Sequence, residues 1–285
     1  MRILWVTSFN QTLYDLSGRK LVESFLKTNS TGQMLVCHEK MKYIAPDARI
    51  KTYEISTYPF LMEWLKRNAD IIPHIYGGNA VYSKVIFRNY WNVKASLWFR
   101  KIASLHLALT LYAKEFDAII WIDSDCVITN TLTEELVVQA FGPAHTFYHL
   151  GKDRLDDSIG SIESGLIGFR APWKILHRVF EMYTSGRFRQ EVRWDDGYIF
   201  RMVIKKSPGG TRDLVNLRTE SRMKLEYRNA KDKDVIHRGP FRDYIIHNKG
   251  QHKSQSRQYC PPKPTKTIQS IKDVKKNMGK LAGLV

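Results

Sequence analysis

Two aspartates one residue apart, Asp123 and Asp125, close the uninterrupted apolar run Ala118-Ile119-Ile120-Trp121-Ile122. Carboxylates at i and i+2, with no Lys or Arg beside them in sequence, supply hard oxygen ligands suited to Mg2+ or Mn2+. An ion held there would stabilise negative charge on a leaving diphosphate. An Asp-Ser124-Asp tripeptide can also do no more than cap a strand and open a turn. Far downstream, His247, Gly250 and Lys253 form a second set. A neutral imidazole is an acceptable partner for such an ion, a glycine lets backbone N–H groups approach phosphate oxygens, and a lysine adds a point charge. A solvated basic loop would carry the same spacing.

These groups need elements to hold them. Ala118 to Ile122 is too short for a membrane helix and has the continuous apolarity of a strand covered on both faces. In open α/β sheets ligands bind outside the carboxyl ends of the strands, which is where Asp123 falls. Ile3 to Val6 reads as a first buried strand, followed by a helical spacing of Leu21, Val22 and Phe25. Gln33 to Cys37 and Ile50 to Ile55 read as further strands of a mostly parallel sheet. Residues 56–92 are aromatic-rich and irregular, and Ser96 to Tyr112 has the 3-to-4 spacing of an amphipathic helix that includes Lys101. Glu163 to Phe169 and Trp194 to Val203 are turn-plus-apolar segments, the second carrying Asp195 and Asp196. Residues 205–234 read as loops and short elements, and Ile245-Ile246 is a brief apolar run.

The expected fold class is therefore α/β, a single domain with a basic tail. Residues 1–130 form its first half, residues 131–255 its second, and residues 256–285 the tail. A Pro-rich hinge at Pro261, Pro262 and Pro264 precedes Ile268, Ile271, Val274, Met278 and Leu281 at helical spacing among lysines.

Composition narrows the function classes. The formal net charge is +17, but residues 1–200 carry 24 Lys+Arg against 21 Asp+Glu, whereas residues 201–285 carry 21 against 7. The last third is a polycation that attracts phosphates, acidic polymers or an anionic membrane. No run approaches the ~20 apolar residues of a membrane span, and MRILWVTSFN enters a strand-like stretch directly instead of a signal segment. Three cysteines, Cys37, Cys126 and Cys260, lie far apart without metal-ligand spacing, which suits a reducing compartment. The expectation is a cytoplasmic chain with peripheral membrane contact through its tail.

The ordered pieces resemble glycosyltransferases of the GT-A fold, especially glycosyltransferase family 8, the glycogenin-like and bacterial galactosyltransferase-like enzymes. The resemblance rests on Phe99-Arg100-Lys101 ahead of Phe116 to Asp125, on Glu163-Ser164-Gly165-Leu166-Ile167-Gly168-Phe169, on Trp194-Asp195-Asp196-Gly197-Tyr198, and on His247-x-x-Gly250-x-x-Lys253. It implies a Rossmann-like, mostly parallel sheet flanked by helices, and Mn2+ or Mg2+ on Asp123, Asp125 and His247. It also implies diphosphate contacts from Lys101, Ser124, Gly250 and Lys253, and a nucleotide role for Thr7, Ser8 and Phe9 after the first strand. Sugar transfer would run from a nucleotide-sugar donor, UDP-linked, to a glycan, protein or lipid-linked acceptor, with retention as in that family. Catalytic candidates are Asp196, Glu163 and Asp195. Asp196 could serve as a general base, orient the acceptor or stabilise an oxocarbenium-like centre. Glu163 stands where the family has Asn and could act on the sugar, while Asp195 could equally be a helix N-cap.

Two other readings stay open. Asp123-Ser124-Asp125-Cys126-Val127 fits the DxDx[TV] signature of haloacid-dehalogenase-type phosphatases, with Asp123 as nucleophile. Against it, about 120 residues of α/β structure precede the motif, which normally lies on the first strand. The basic last third would also suit a nucleic-acid-binding module. No helix-turn-helix, zinc-finger or RNP-like pattern supports that, so no nucleic-acid partner is expected.

Overall fold

The computed structural model describes residues 1–41, 44, 46–72, 74–76, 79–81, 92, 94–150, 162–207, 214–217, 236 and 239–248. Strand β1 (Ile3–Asn10) is buried on both faces: Leu4 and Val6 enter one apolar cluster, Ile3 and Trp5 the other. The period-two alternation of a strand divides them. Beyond Asn10 the chain is helical without a break, through a short turn at Gln11–Leu13 and a π-helical turn at Tyr14–Gly18 into α1 (Arg19–Lys27). β2 (Gln33–Glu39) and β3 (Ile50–Glu54) follow, each parallel to its neighbour in the order β1, β2, β3.

Residues 56–92 are less irregular than their composition suggests. A nine-residue helix, α2 (Pro59–Arg67), opens with Pro at its first turn, where the missing N–H costs nothing. It buries Leu61 and Trp64, and the Trp64 ring stacks on Phe99 at 4.0 Å. A short hairpin, β4 (His74–Tyr76) and β5 (Asn79–Val81), comes next. Helix α3 (Ala95–Tyr112) presents Phe99, Ile102, Leu105 and Ala108 to the core.

The chain then returns to the centre of the sheet. β6 (Ala118–Ile122), buried throughout, lies parallel to β1 with Trp121 opposite Val6. A turn leads to β7 (Cys126–Ile128), then α4 (Glu134–Phe141), β8 (Thr146–Leu150) and β9 (Ile162–Arg170). β9 runs antiparallel to both β6 and β8. Helices α5 (Lys174–Thr184) and α6 (Asp196–Lys205), β10 (Leu214–Asn216) and β11 (Ile245–His247) complete the described elements.

The seven-stranded sheet has the order β10-β8-β9-β6-β1-β2-β3, mostly parallel. Apolar residues of α2, α3, α5 and α6 cover one face; those of α1 and α4 cover the other. This is the expected mixed α/β architecture. β11 and β7 pair antiparallel as a separate two-stranded ribbon. Among the described residues, no helix is long and apolar enough to cross a membrane.

Candidate active site

The chain runs outward from β1 through β2 to β3, then returns to place β6 on the other side of β1. That reversal is a topological switch point, where the carboxyl ends of neighbouring strands splay their loops apart and open a crevice. The carboxyl end of β6 delivers Asp123 there, beside the end of β1.

After Ile122 the backbone turns at once, with Cys126 N–H donating to the Asp123 carbonyl at 3.1 Å. Asp123 is fixed from two sides. Its N–H donates to the Gly165 carbonyl at 2.9 Å, and its Oδ1 accepts the Trp121 indole N–H at 2.6 Å. Trp121 and Asp123 are two residues apart at a strand end, so they share a face. The sequence thus held the signal for this orienting contact, although Trp121 reads there only as part of an apolar run.

Lys101 reaches the same carboxylate from α3. Its Nζ lies 3.0 Å from Asp123 Oδ1, 2.7 Å from Asp196 Oδ2, and 2.9 Å from the Ser164 carbonyl. It also donates to Ser164 Oγ at 3.1 Å. Lys101 is 8% exposed and Asp196 2%. Burial works against the ammonium, but the Asp123 and Asp196 charges outweigh it and hold the Lys101 pKa above its ordinary value. An ammonium has three N–H donors, and here Asp123, Asp196 and Ser164 engage them. Lys101 thus ties two carboxylates and β9 together. Nothing in local sequence links residue 101 to residue 196.

β9 contributes through its direction. Because it is antiparallel to β6, its N-terminal half lies beside the carboxyl end of β6, with Leu166 opposite Ile122. Gly165 then becomes the centre of a cluster. A side chain at Gly165 would meet His247 Cε1 at 2.8 Å, Glu163 Oε1 at 3.2 Å and Asp123 Oδ2 at 3.3 Å. Imidazole and carboxylates fill the space a Cβ would need.

The β7–β11 ribbon brings in His247. Its register sets His247 directly opposite Cys126, and Asn248 N–H donates to the Asp125 carbonyl at 3.0 Å. His247 Nε2 lies 3.1 Å from Asp125 Oδ1. Among the described residues, Asp125, Cys126 and His247 each offer a ligand atom within 4.8 Å of the others. Asp123 is not in that group, though its free edge faces His247 across Gly165. Cys126, fully buried, is a neighbour that the sequence reading left out.

Other expected residues are placed differently. Asp195 caps α6, accepting from Tyr198 N at 3.2 Å, and receives Arg193 Nε and Nη2 at 2.7 and 2.8 Å. Burial raises its pKa despite the Arg193 contacts. Its carboxylate is thus used in holding the helix start that carries Asp196, the capping alternative of its two readings. Phe9 is packed, not presented: its ring lies 5.5 Å from Tyr14 and against Gly18, where a Cβ would fall 2.8 Å from Cδ1. Thr7 is fully buried, with its hydroxyl unpartnered among the described residues, and Ser8 is half-buried. Ser124 lies in the turn between β6 and β7. Gly250, Lys253 and the tail 256–285 lie outside the described residues. A surface depression of about 600 Å3 lined by Lys66, Arg67, Asp70, Tyr183 and Arg189 involves none of these site residues.

No protein-family profile matches the sequence, and no curated protein matches it. Solved structures do match, each over 76% of this chain. The apo form of mouse xyloside xylosyltransferase 1 is 11% identical, with a TM-score of 0.47 and 85% of its chain covered. The apo WbbM bifunctional glycosyltransferase is 13% identical, with a TM-score of 0.44. The glycosyltransferase GlyE of Streptococcus pneumoniae TIGR4 is 14% identical, with a TM-score of 0.41. The match spans only 39% and 45% of these last two chains.

Proposed function

We propose that this chain is a metal-dependent glycosyltransferase of GT-A type that moves a sugar from a nucleotide-sugar donor, UDP-linked, to an acceptor. One observation carries the reading: at the switch point of the sheet, Asp123 from the turn after β6, Glu163 from β9 and His247 from β11 converge around Gly165, and Asp125 joins them 3.1 Å from His247 Nε2. The donor set of carboxylates and imidazole fits a divalent cation. Asp125 and His247 would hold it, with the free oxygen of Asp123 completing the protein ligands. Such an ion, when bound, supplies positive charge to a departing diphosphate.

The protein's own groups do the rest. Trp121 and Lys101 fix Oδ1 of Asp123, and its Oδ2 lies with His247 Cε1 beside Gly165. Asp196, paired with Lys101, places a buried carboxylate beside the site, where it favours positive charge developing on a sugar ring. Glu163 lies on the same rim and takes the direct sugar-facing role, while Asp196 acts as orienting anion, which suits retention. Residues 1–130 would carry the nucleotide, with Thr7 and Ser8 at the end of β1, and residues 131–255 the acceptor.

A thermal-shift screen of nucleotide sugars with and without Mn2+ tests the reading, since a ligand that binds only the folded state raises the melting temperature by mass action. The expected result is a shift with one donor that requires the metal. Asp125→Ala should abolish metal-dependent donor hydrolysis while the protein stays folded by circular dichroism. Full hydrolysis in that variant, or release of phosphate from a generic phosphomonoester without donor hydrolysis, would overturn the proposal.

A further inference from the structure

The sequence suggests a site for hard cations, made of oxygen ligands and one imidazole. Among the described residues, the ligand atoms that lie within 4.8 Å of one another are a different set: a carboxylate, a thiol and an imidazole, from Asp125, Cys126 and His247. Their arrangement does not depend on chance side-chain directions. Cys126 and His247 are directly opposed in the antiparallel β7–β11 pair, so their side chains project from the same face of the ribbon. Asp125 is drawn to the same ribbon by the Asn248 N–H bond to its carbonyl and by the 3.1 Å contact between its Oδ1 and His247 Nε2. Gly165 leaves the room in which His247 Cε1 sits. Asp123 has one oxygen already committed to Trp121 and Lys101.

Resting on the proposed metal-dependent reading of this site, we infer that Cys126 is a metal ligand and that the site selects a borderline, thiophilic cation such as Zn2+ or Co2+ over Mn2+ or Mg2+. Soft thiolate ligands favour such ions, and affinity at mixed nitrogen, oxygen and sulfur sites rises from Mn2+ toward Zn2+. Cys126 takes the place otherwise given to Asp123, and three protein ligands leave a fourth position for a substrate oxygen, the arrangement of a working metal centre in contrast to a closed structural one. Coordination displaces the thiol proton to solvent, so metal uptake releases acid. Cys126 is fully buried and His247 is 5% exposed, so both ligands are shielded from competing water.

Cobalt titration of the full chain reads the ligand set directly. Bound Co2+ gives visible d–d bands, and a thiolate ligand adds a near-ultraviolet sulfur-to-cobalt charge-transfer band. The expected result is that band in the native protein and in Cys37→Ser/Cys260→Ser, where Cys126 is the sole cysteine. Cys126→Ser should lose it. In the same variant Zn2+ affinity should fall by about tenfold or more. Mn2+ affinity, which gains little from sulfur, should stay within about twofold. Visible bands without the charge-transfer band would overturn the cysteine assignment and leave the carboxylate–imidazole site standing. A charge-transfer band that survives Cys126→Ser would do the same. Absence of any Co2+, Zn2+ or Mn2+ binding would overturn both. If Cys126→Ser does not fold, the sole-cysteine variant still decides the question.

Discussion

Replacing Lys101 with Met would leave two carboxylates facing each other without their shared cation. Lys101 and Asp196 are almost wholly buried and 2.7 Å apart, and Asp123 is 3.0 Å away and partly exposed. Breaking a buried ion pair by removing one partner costs about 3–5 kcal/mol, because a charge is left uncompensated. Two carboxylates share this lysine, so Lys101→Met should fall in the upper part of that range, lowering the melting temperature by on the order of 10 °C. The pairing has a pH signature. In the native protein the raised Lys101 pKa stabilises the fold throughout the neutral range and is lost only at alkaline pH. Urea melts of native, Lys101→Met, Asp196→Asn and the double variant form the cycle. The double variant should recover most of the loss, because the carboxylate left behind, Asp123, is the more exposed of the two. A Lys101→Met protein as stable as native at pH 7, or a double variant no better than the single, would refute the ion-pair argument.

Gly165→Ala should push His247 aside, since the new methyl would lie 2.8 Å from its Cε1. We expect metal affinity by calorimetry to drop about tenfold or more, with a stability cost of about 1–3 kcal/mol from overpacking; unchanged metal binding would contradict the placement of His247. Asp195→Ala should cost about 1–2 kcal/mol through the lost N-cap and yet leave donor hydrolysis in place below its lowered melting temperature. Hydrolysis lost in a folded Asp195→Ala protein would return Asp195 to the catalytic group.

Much of this was written in local sequence. The unbroken apolarity of Ala118 to Ile122 dictates a strand buried on both faces, and the abrupt change at Asp123 marks its end. The helix expected from Ser96 to Tyr112 is found at Ala95–Tyr112, and Glu163 to Phe169 lies within β9, because periodic apolar residues have only one way to reach the core. Helix α2 was legible too: Pro59 at its start and Leu61 and Trp64 three apart are local signals, obscured by the surrounding aromatics. The proline start and the Trp121–Asp123 spacing both needed only a closer reading.

Other features could not be read along the chain, because they depend on which strand lies beside which. A run such as Ile162 to Arg170 has the same pattern whether parallel or antiparallel, and only its reversed direction puts Glu163 and Gly165 at the carboxyl end of β6. His247 was visible as a candidate, but its partners were not. The pairing of β11 with β7 set it against Cys126, which in sequence was one of three cysteines lying far apart without metal-ligand spacing. Lys101 was visible as a helix lysine, but its position between two carboxylates was not. The sequence by itself determined which chemical groups exist and which segments carry them, since propensity and periodicity are local. Tertiary structure alone decided which of those groups share a few ångströms, since pairing and register join residues more than a hundred positions apart.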